Sequence, residues 1–288
     1  MTQHTLELPD VDLVYDVHGP LPTKDGRPPL MMIGQPMDAS GFQAQVKLLG
    51  DRTVVTYDPR GLGRSVRKDG GVTNEPDLQA EDVHAIIEAL GAGPVDMFAS
   101  SGGAVSALAL VTAHPQDVVT LVAHEPPIDC VLPDAEAVHR ARIACTRAYQ
   151  ERGWGAGMAA FVAMTSWEGE VTEEFLAQPA PDPAAFGMPT EDDGSRNDPL
   201  LSELSWAVPL YEPDLEALKA SPTRIVVAVG EESLKGYTGR TALALAEKLG
   251  QQATVFPSHH GGFMGGEFGY AGQPEAFAAT LREVLDRP

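Results

Sequence analysis

Ser101 is the residue best placed to act as a nucleophile. It stands in Phe98-Ala99-Ser100-Ser101-Gly102-Gly103, between a run that reads as a strand and one that reads as a helix. A sharp strand-to-helix turn crowds the positions two before and two after its apex, so both must be small. Ala99 and Gly103 fill those places around Ser101, the nucleophile-elbow pattern with alanine for the first glycine. Ser100 fits less well, because that frame puts Phe98 in the crowded place. The turn lifts the Ser101 hydroxyl off the sheet at a helix N-terminus, where the backbone N–H of Gly102 can stabilise an oxyanion. The plainer alternative is a glycine-rich helix start with a capping serine.

A serine is a weak nucleophile and needs a base. Of the eight histidines, His18 and His114 read as structural, in a turn and at a helix end. His260, in His259-His260-Gly261-Gly262, follows the last strand-like run and enters a flexible glycine-rich loop; His259 is the second choice. No third ligand lies near this pair at a familiar metal spacing, so no metal is expected. The base in turn needs an acid to fix its tautomer and stabilise the imidazolium. Glu125, in His124-Glu125-Pro126-Pro127, and Glu231 or Glu232, in Gly230-Glu231-Glu232-Ser233, each follow a strand-like run. Each also satisfies the chain order nucleophile, acid, histidine.

The elements that must position these groups alternate. Strand-like runs occupy residues 5–17 (one or two short strands), Leu30 to Ile33, Thr53 to Tyr57, Val95 to Ser100, Val118 to Ala123, Arg224 to Val229 and Ala253 to Phe256. Helical spacing appears at Gln79 to Leu90, Gly102 to Ala113, Thr241 to Leu249 and Pro274 to Leu285. Such alternation predicts an α/β fold with a mostly parallel central sheet flanked by helices. It halts after Pro127 and resumes near Thr223. Between them lie helix-like stretches (Ala135 to Gln150, Gly155 to Met164), a Pro- and Asp-rich loop from Gln178 to Pro199, and all three tryptophans, Trp154, Trp167 and Trp206. This stretch reads as an insertion over one end of the sheet.

Composition excludes several classes. The chain has 288 residues, 43% of them hydrophobic, as in an ordinary globular protein. Its 41 acidic and 20 basic residues give a net charge of −21, which repels phosphate backbones and anionic bilayers. Neither nucleic acid nor membrane is therefore expected as a partner. No apolar run reaches the roughly 18–20 residues of a membrane span, and Met1 to Pro9 lacks the pattern of a secretory signal. Cys130 and Cys145 form no disulfide or zinc framework. A cytoplasmic protein, monomeric or homodimeric, is the expectation.

Four segments together resemble a known family: Ile33-Gly34-Gln35-Pro36, Tyr57-Asp58-Pro59-Arg60-Gly61-Leu62-Gly63-Arg64-Ser65, the Ser101 elbow, and His260 with Phe263. Over nearly its whole length the chain resembles the α/β-hydrolase fold superfamily, in its cap-bearing, cofactor-independent serine hydrolase branch (esterases and cofactor-free haloperoxidases). The resemblance implies Ser101 as nucleophile and His260 as general base. It implies the backbone N–H of Gln35 as second oxyanion donor beside Gly102. It further implies a core of residues 1–127 and 216–288, a helical cap of residues 128–215, and no cofactor. The chain departs from the family at Ile33, where histidine is frequent, at Ala99, and at Ser233, where the usual acid would stand. Some members carry their acid one strand earlier, at the position of Glu125. Glu125 is therefore expected to complete the triad, with Glu232 as fallback.

A serine at the elbow disfavours the dehalogenase and epoxide hydrolase chemistries that the family runs with aspartate there. It implies an acyl-enzyme resolved by water. The expected substrate is a small-molecule acyl compound, small or medium and largely apolar. Carboxylic esters come first, then lactones and thioesters, with Trp154, Trp167 and Trp206 as candidate contacts. Perhydrolysis and carbon–carbon bond hydrolysis use the same triad. A non-catalytic small-ligand binder on the same fold is the alternative from another class.

Overall fold

The structure is a computed structural model that describes residues 1–287. Its strands are β1 (Thr2–Glu7), β2 (Val11–His18), β3 (Leu30–Gln35), β4 (Val54–Tyr57), β5 (Val66–Arg67), β6 (Val95–Ser101), β7 (Val118–His124), β8 (Arg224–Gly230) and β9 (Thr254–Phe256). The helices are α1 (Gln43–Leu48), α2 (Pro76–Leu90), α3 (Gly102–Ala113), α4 (Ala135–Arg152), α5 (Trp154–Thr165), α6 (Glu173–Leu176), α7 (Leu215–Ala220), α8 (Tyr237–Lys248) and α9 (Pro274–Leu285). The strands form one sheet in the order β1-β2-β4-β3-β6-β7-β8-β9, with β5 beside β2. From β4 to β9 neighbours run parallel, while β1, β2 and β5 form an antiparallel margin.

Helices cover both faces of the parallel part, and the strand alternation shows it. On β3, Met31 and Ile33 point into the layer built with Val83 and Ile86 of α2, Leu108 of α3 and Leu245 of α8. Leu30 and Met32 point into the opposite layer, with Phe42, and Phe277 and Leu281 of α9. A strand buried on both faces must be apolar throughout, which is why β3 reads as a continuous run rather than an alternating one. Central α3 likewise is buried from Gly102 to Val111.

The order β4-β3-β6 contains the switch point of the topology. After β3 the chain leaves to one side for β4, then returns past β3 to β6 on the other. The crossovers diverge there, and a crevice opens beyond the carboxyl ends of β3 and β6. Gln35 and Ser101, the last residues of these strands, are register partners.

The Tyr57–Ser65 segment fastens this edge. Asp58 accepts from the backbone N–H of Ala39 (2.9 Å) and of Arg64 (2.8 Å). Buried Arg60 makes a bidentate pair with Asp82 of α2, at 2.7 and 2.6 Å. These bonds close the loop after β4 on itself and tie it to the segment after β3 and to α2.

Two differences from the sequence reading have local causes. His18 ends β2, where it pairs with Val54, rather than sitting in the turn that follows. Helix α8 starts at Tyr237, four residues before the expected Thr241, because its first turn packs Tyr237 and Gly239 into the core. The stretch between β7 and β8 is helical as expected in α4 and α5, and α7 begins at Leu215 because the Asp214 side chain caps it. Among the described residues no helix is long and apolar enough to cross a membrane.

Candidate active site

Ser101 has φ 56° and ψ −130°, a left-handed backbone that costs a non-glycine residue about 1–2 kcal/mol. The small neighbours the turn needs are present. Ala99 is fully buried, and a Cβ on Gly103 would stand 2.6 Å from Gly34 Cα and 2.8 Å from Ile33 O. Only glycine lets α3 start this close to β3. Gln35 lies beside Gly102: a Cβ on Gly102 would be 3.1 Å from Gln35 Cβ. The Gln35 side chain turns inward, where its Oε1 accepts a hydrogen bond from Gln79 Nε2. Its backbone is thereby held at the edge where Ser101 emerges.

Glu125 is the second strained residue at this edge, with φ 48°. It follows β7 directly and is fully buried. Its Oε2 lies 2.6 Å from His260 Nδ1 and accepts from Thr238 Oγ1 at 2.5 Å. Its Oε1 accepts from the backbone N–H of Gly230 at 2.8 Å. A Cβ on Gly230 would come within 2.6 Å of Ser258 O and 3.1 Å of Glu125 Oε1, so glycine there lets β8 end against the carboxylate. Burial works to raise the Glu125 pKa. The charge and hydrogen bond of His260, with His124 and the Thr238 hydroxyl, outweigh it and hold the carboxyl below its usual range.

Glu232, the fallback acid, is exposed in the turn after β8, and its backbone N–H bonds Ser258 O at 3.1 Å. Glu231 receives the Ser258 N–H at 3.3 Å. His259, the second-choice base, accepts from Gly261 N–H through Nδ1 (3.0 Å), and its Nε2 lies near Ala271 O (3.3 Å). Of the two adjacent imidazoles, His260 is therefore the one the structure joins to a carboxylate.

Ser101 and His260 line one cavity of about 1120 Å³, together with Gln35 and Gly102. Trp154, Met158, Phe161, Leu201, Trp206 and Val208 bring apolar wall from the stretch between β7 and β8. Trp154 Nε1 donates to Asp198 at 2.8 Å. Trp167 departs from the expectation: it is not among the lining residues and packs on Phe175 at 5.0 Å between ring centroids. Its indole N–H is taken by Glu170 O at 3.0 Å. Sequence reasoning gave no part to Thr238 or Gly230, which hold the Glu125 carboxylate. Both reach it from more than a hundred residues away in sequence, which no local pattern reveals.

His84 in the middle of α2, His114 at the C-terminal end of α3 and Asp117 just beyond bring donor atoms within 4.8 Å of one another. The two rings stack 3.7 Å apart and only 6° from parallel, so no ion can lie in both ring planes. Each imidazole already has a carboxylate partner, Asp117 at 2.7 Å and Glu81 at 2.9 Å.

Residues 17–280 match the alpha/beta hydrolase family. The chain belongs to that family. A relative from Bacillus subtilis (strain 168), the uncharacterized hydrolase YraK, is 27% identical over 290 residues, spanning 98% of this chain and 96% of its own. Among solved structures, a thermophilic esterase from Thermogutta terrifontis superposes with a TM-score of 0.65 at 20% identity, over 99% of this chain and 98% of the other. The proline iminopeptidase of Mycobacterium smegmatis gives 0.63 at 20% identity, over 99% and 97%. This alpha/beta hydrolase thus shares its fold with an esterase and a proline iminopeptidase.

Proposed function

We propose that this hydrolase cleaves a small or medium, largely apolar carboxylic ester through an acyl-enzyme on Ser101. The observation that carries the reading is the 2.6 Å contact between His260 Nδ1 and the buried Glu125 carboxylate, with His260 and Ser101 lining one cavity. That contact puts the proton on Nδ1 and leaves Nε2 to act as base. Ser101 Oγ attacks the ester carbonyl as His260 Nε2 takes its proton. The backbone N–H groups of Gly102 and Gln35 hold the oxyanion. His260 then protonates the leaving alkoxide, activates water on the acyl-enzyme, and returns the proton to Ser101. Residues 128–215 serve as the cap. Their tryptophan, methionine, phenylalanine and leucine side chains suit an acyl chain rather than a charged group.

The test joins a fluorophosphonate probe to p-nitrophenyl esters of graded chain length, with lactones and thioesters alongside. Wild-type protein is expected to label on Ser101 and to hydrolyse the esters; Ser101→Ala loses both. Glu125→Gln is expected to lower kcat roughly ten-thousandfold, while Glu232→Gln changes it little. Folded wild-type protein that does not label at all would instead be a small-ligand binder. The reverse ranking of the two glutamate variants would give the acid's role to Glu232.

A further inference from the structure

His124 is fully buried, and the mechanism above does not use it. Its ring is surrounded by Phe98, Phe256, Phe263 and Phe277, with centroids 5.4 to 6.3 Å away. A place that needed only bulk would take another phenylalanine, because burying a ring nitrogen without a partner is costly. Yet Nε2 has no hydrogen-bond partner. It lies 3.8 Å from Glu125 Oε1, beyond hydrogen-bond length but close for a dipole and a charge in an apolar cage. The other ring nitrogen, Nδ1, lies 3.1 Å from the Ser100 hydroxyl, because Ser100 and His124 are register partners on β6 and β7.

These contacts assign the tautomer. A lone pair on Nε2 would face an anionic oxygen and be repelled. Nε2 therefore carries the proton, and Ser100 Oγ–H donates to Nδ1. Besides Glu125, the titratable group facing His124 is His260, whose ring centroid is 6.0 Å away.

We propose that His124 is a positioning residue for Glu125. Its Nε2–H, fixed in place by the Ser100 hydroxyl, holds Oε1 against the Gly230 side so that Oε2 stays on His260. The inference rests on the Ser101–His260–Glu125 reading and adds a buried line from Ser100, next to the nucleophile, to the acid.

The experiment compares His124→Phe, Ser100→Ala and Glu125→Gln with wild type, using p-nitrophenyl butyrate kinetics across pH and thermal unfolding. His124→Phe is expected to melt no lower than wild type, since it removes an unpartnered buried nitrogen. It is expected to lose about threefold in kcat at unchanged KM, less than the loss of a hydrogen bond to a carboxylate would cause, because the Nε2–H dipole acts from beyond hydrogen-bond length. Removing that N–H dipole leaves the Glu125 carboxylate less stabilised, so the acid limb of kcat moves to higher pH. Ser100→Ala shifts both quantities the same way by less, and it decides the matter if the phenylalanine variant does not fold. A folded His124→Phe with wild-type kcat and acid limb overturns the proposal, as does a loss of kcat that follows melting temperature while Ser100→Ala is silent. Glu125→Gln at wild-type kcat overturns the underlying triad reading and the positioning role with it; a crippled Glu125→Gln beside an unaffected His124→Phe overturns the positioning role alone.

Discussion

Two side chains at this site, His124 and Glu125, both resist protonation in the folded chain. Burial pushes the His124 imidazole down to about 4 from an ordinary value near 6.5, with the Glu125 charge opposing and His260 adding to the shift. The unfolded chain therefore binds a proton between pH 6.5 and 4 that the folded chain refuses. A folded pKa that is depressed makes stability fall as pH falls through this window, by about 3 kcal/mol when the window is crossed. Glu125, also depressed, loses its stabilising contribution only below its ordinary value of about 4.5, progressively as pH falls toward its lower folded value. Urea unfolding at pH 7 and pH 4.5 is expected to show a smaller loss for His124→Phe than for wild type, by most of that amount. Equal losses would mean that His124 is protonated inside the fold. The same residues mark where reading the sequence stopped. Ser101 and His260 stood out because an elbow and a glycine-rich loop are local patterns. The preference for Glu125 over Glu232 rests on the resemblance alone, because Ser233 stands where the usual acid would; what the sequence cannot show is how Glu125 is held, since the Gly230 N–H that its carboxylate accepts lies 105 positions away.

At the scale of elements, the approach of α3 to β3 sets where the Gly102 N–H, proposed above as an oxyanion donor, lies. Gly103→Ala sets a Cβ against backbone, at 2.6 Å from Gly34 Cα and 2.8 Å from Gly34 N, which cannot yield without moving the helix. Overpacking of this kind costs about 1–3 kcal/mol. Moving the N-terminus of α3 by about 1 Å displaces Gly102 N–H enough to lower kcat about a hundredfold. Gly34→Ala meets chiefly the flexible end of Met37 instead, so its kcat is expected to stay within a few-fold of wild type. Chemical denaturation and ester kinetics on the two variants check the contrast; equal effects would show that the clash is relieved without shifting α3. The boundaries of α3 and α9 were legible from sequence to the residue, because glycine or proline starts each and apolar spacing runs through it. The short α1, β5, α6 and α7 were not. Two to six residues carry too little periodicity, and tertiary contacts such as the pairing of Val66 with Asp12 on β2 decide them.

The whole molecule carries a net charge of −21, and the cavity shares its sign. Arg142 lines the wall, but Asp129 (2.9 Å) and the Tyr237 hydroxyl (2.7 Å) occupy one face of its guanidinium, and Lys235 is paired with Glu168. Glu231, Glu232 and Asp198 line the cavity with no cationic partner among the described residues. An anionic ester must approach a negative body and a negative mouth, whereas a neutral one feels neither. The Debye length falls from about 30 Å at about 0.01 M salt to about 8 Å at about 0.15 M, so added salt removes most of this barrier. The kcat/KM of a hemisuccinate ester is expected to rise several-fold over that range, while that of the matching neutral butyrate stays flat. A hemisuccinate that is hydrolysed fastest at low salt would mean that Arg142 leaves Asp129 to receive the substrate carboxylate. The apolar specificity argued from the cap would then give way to one set by charge.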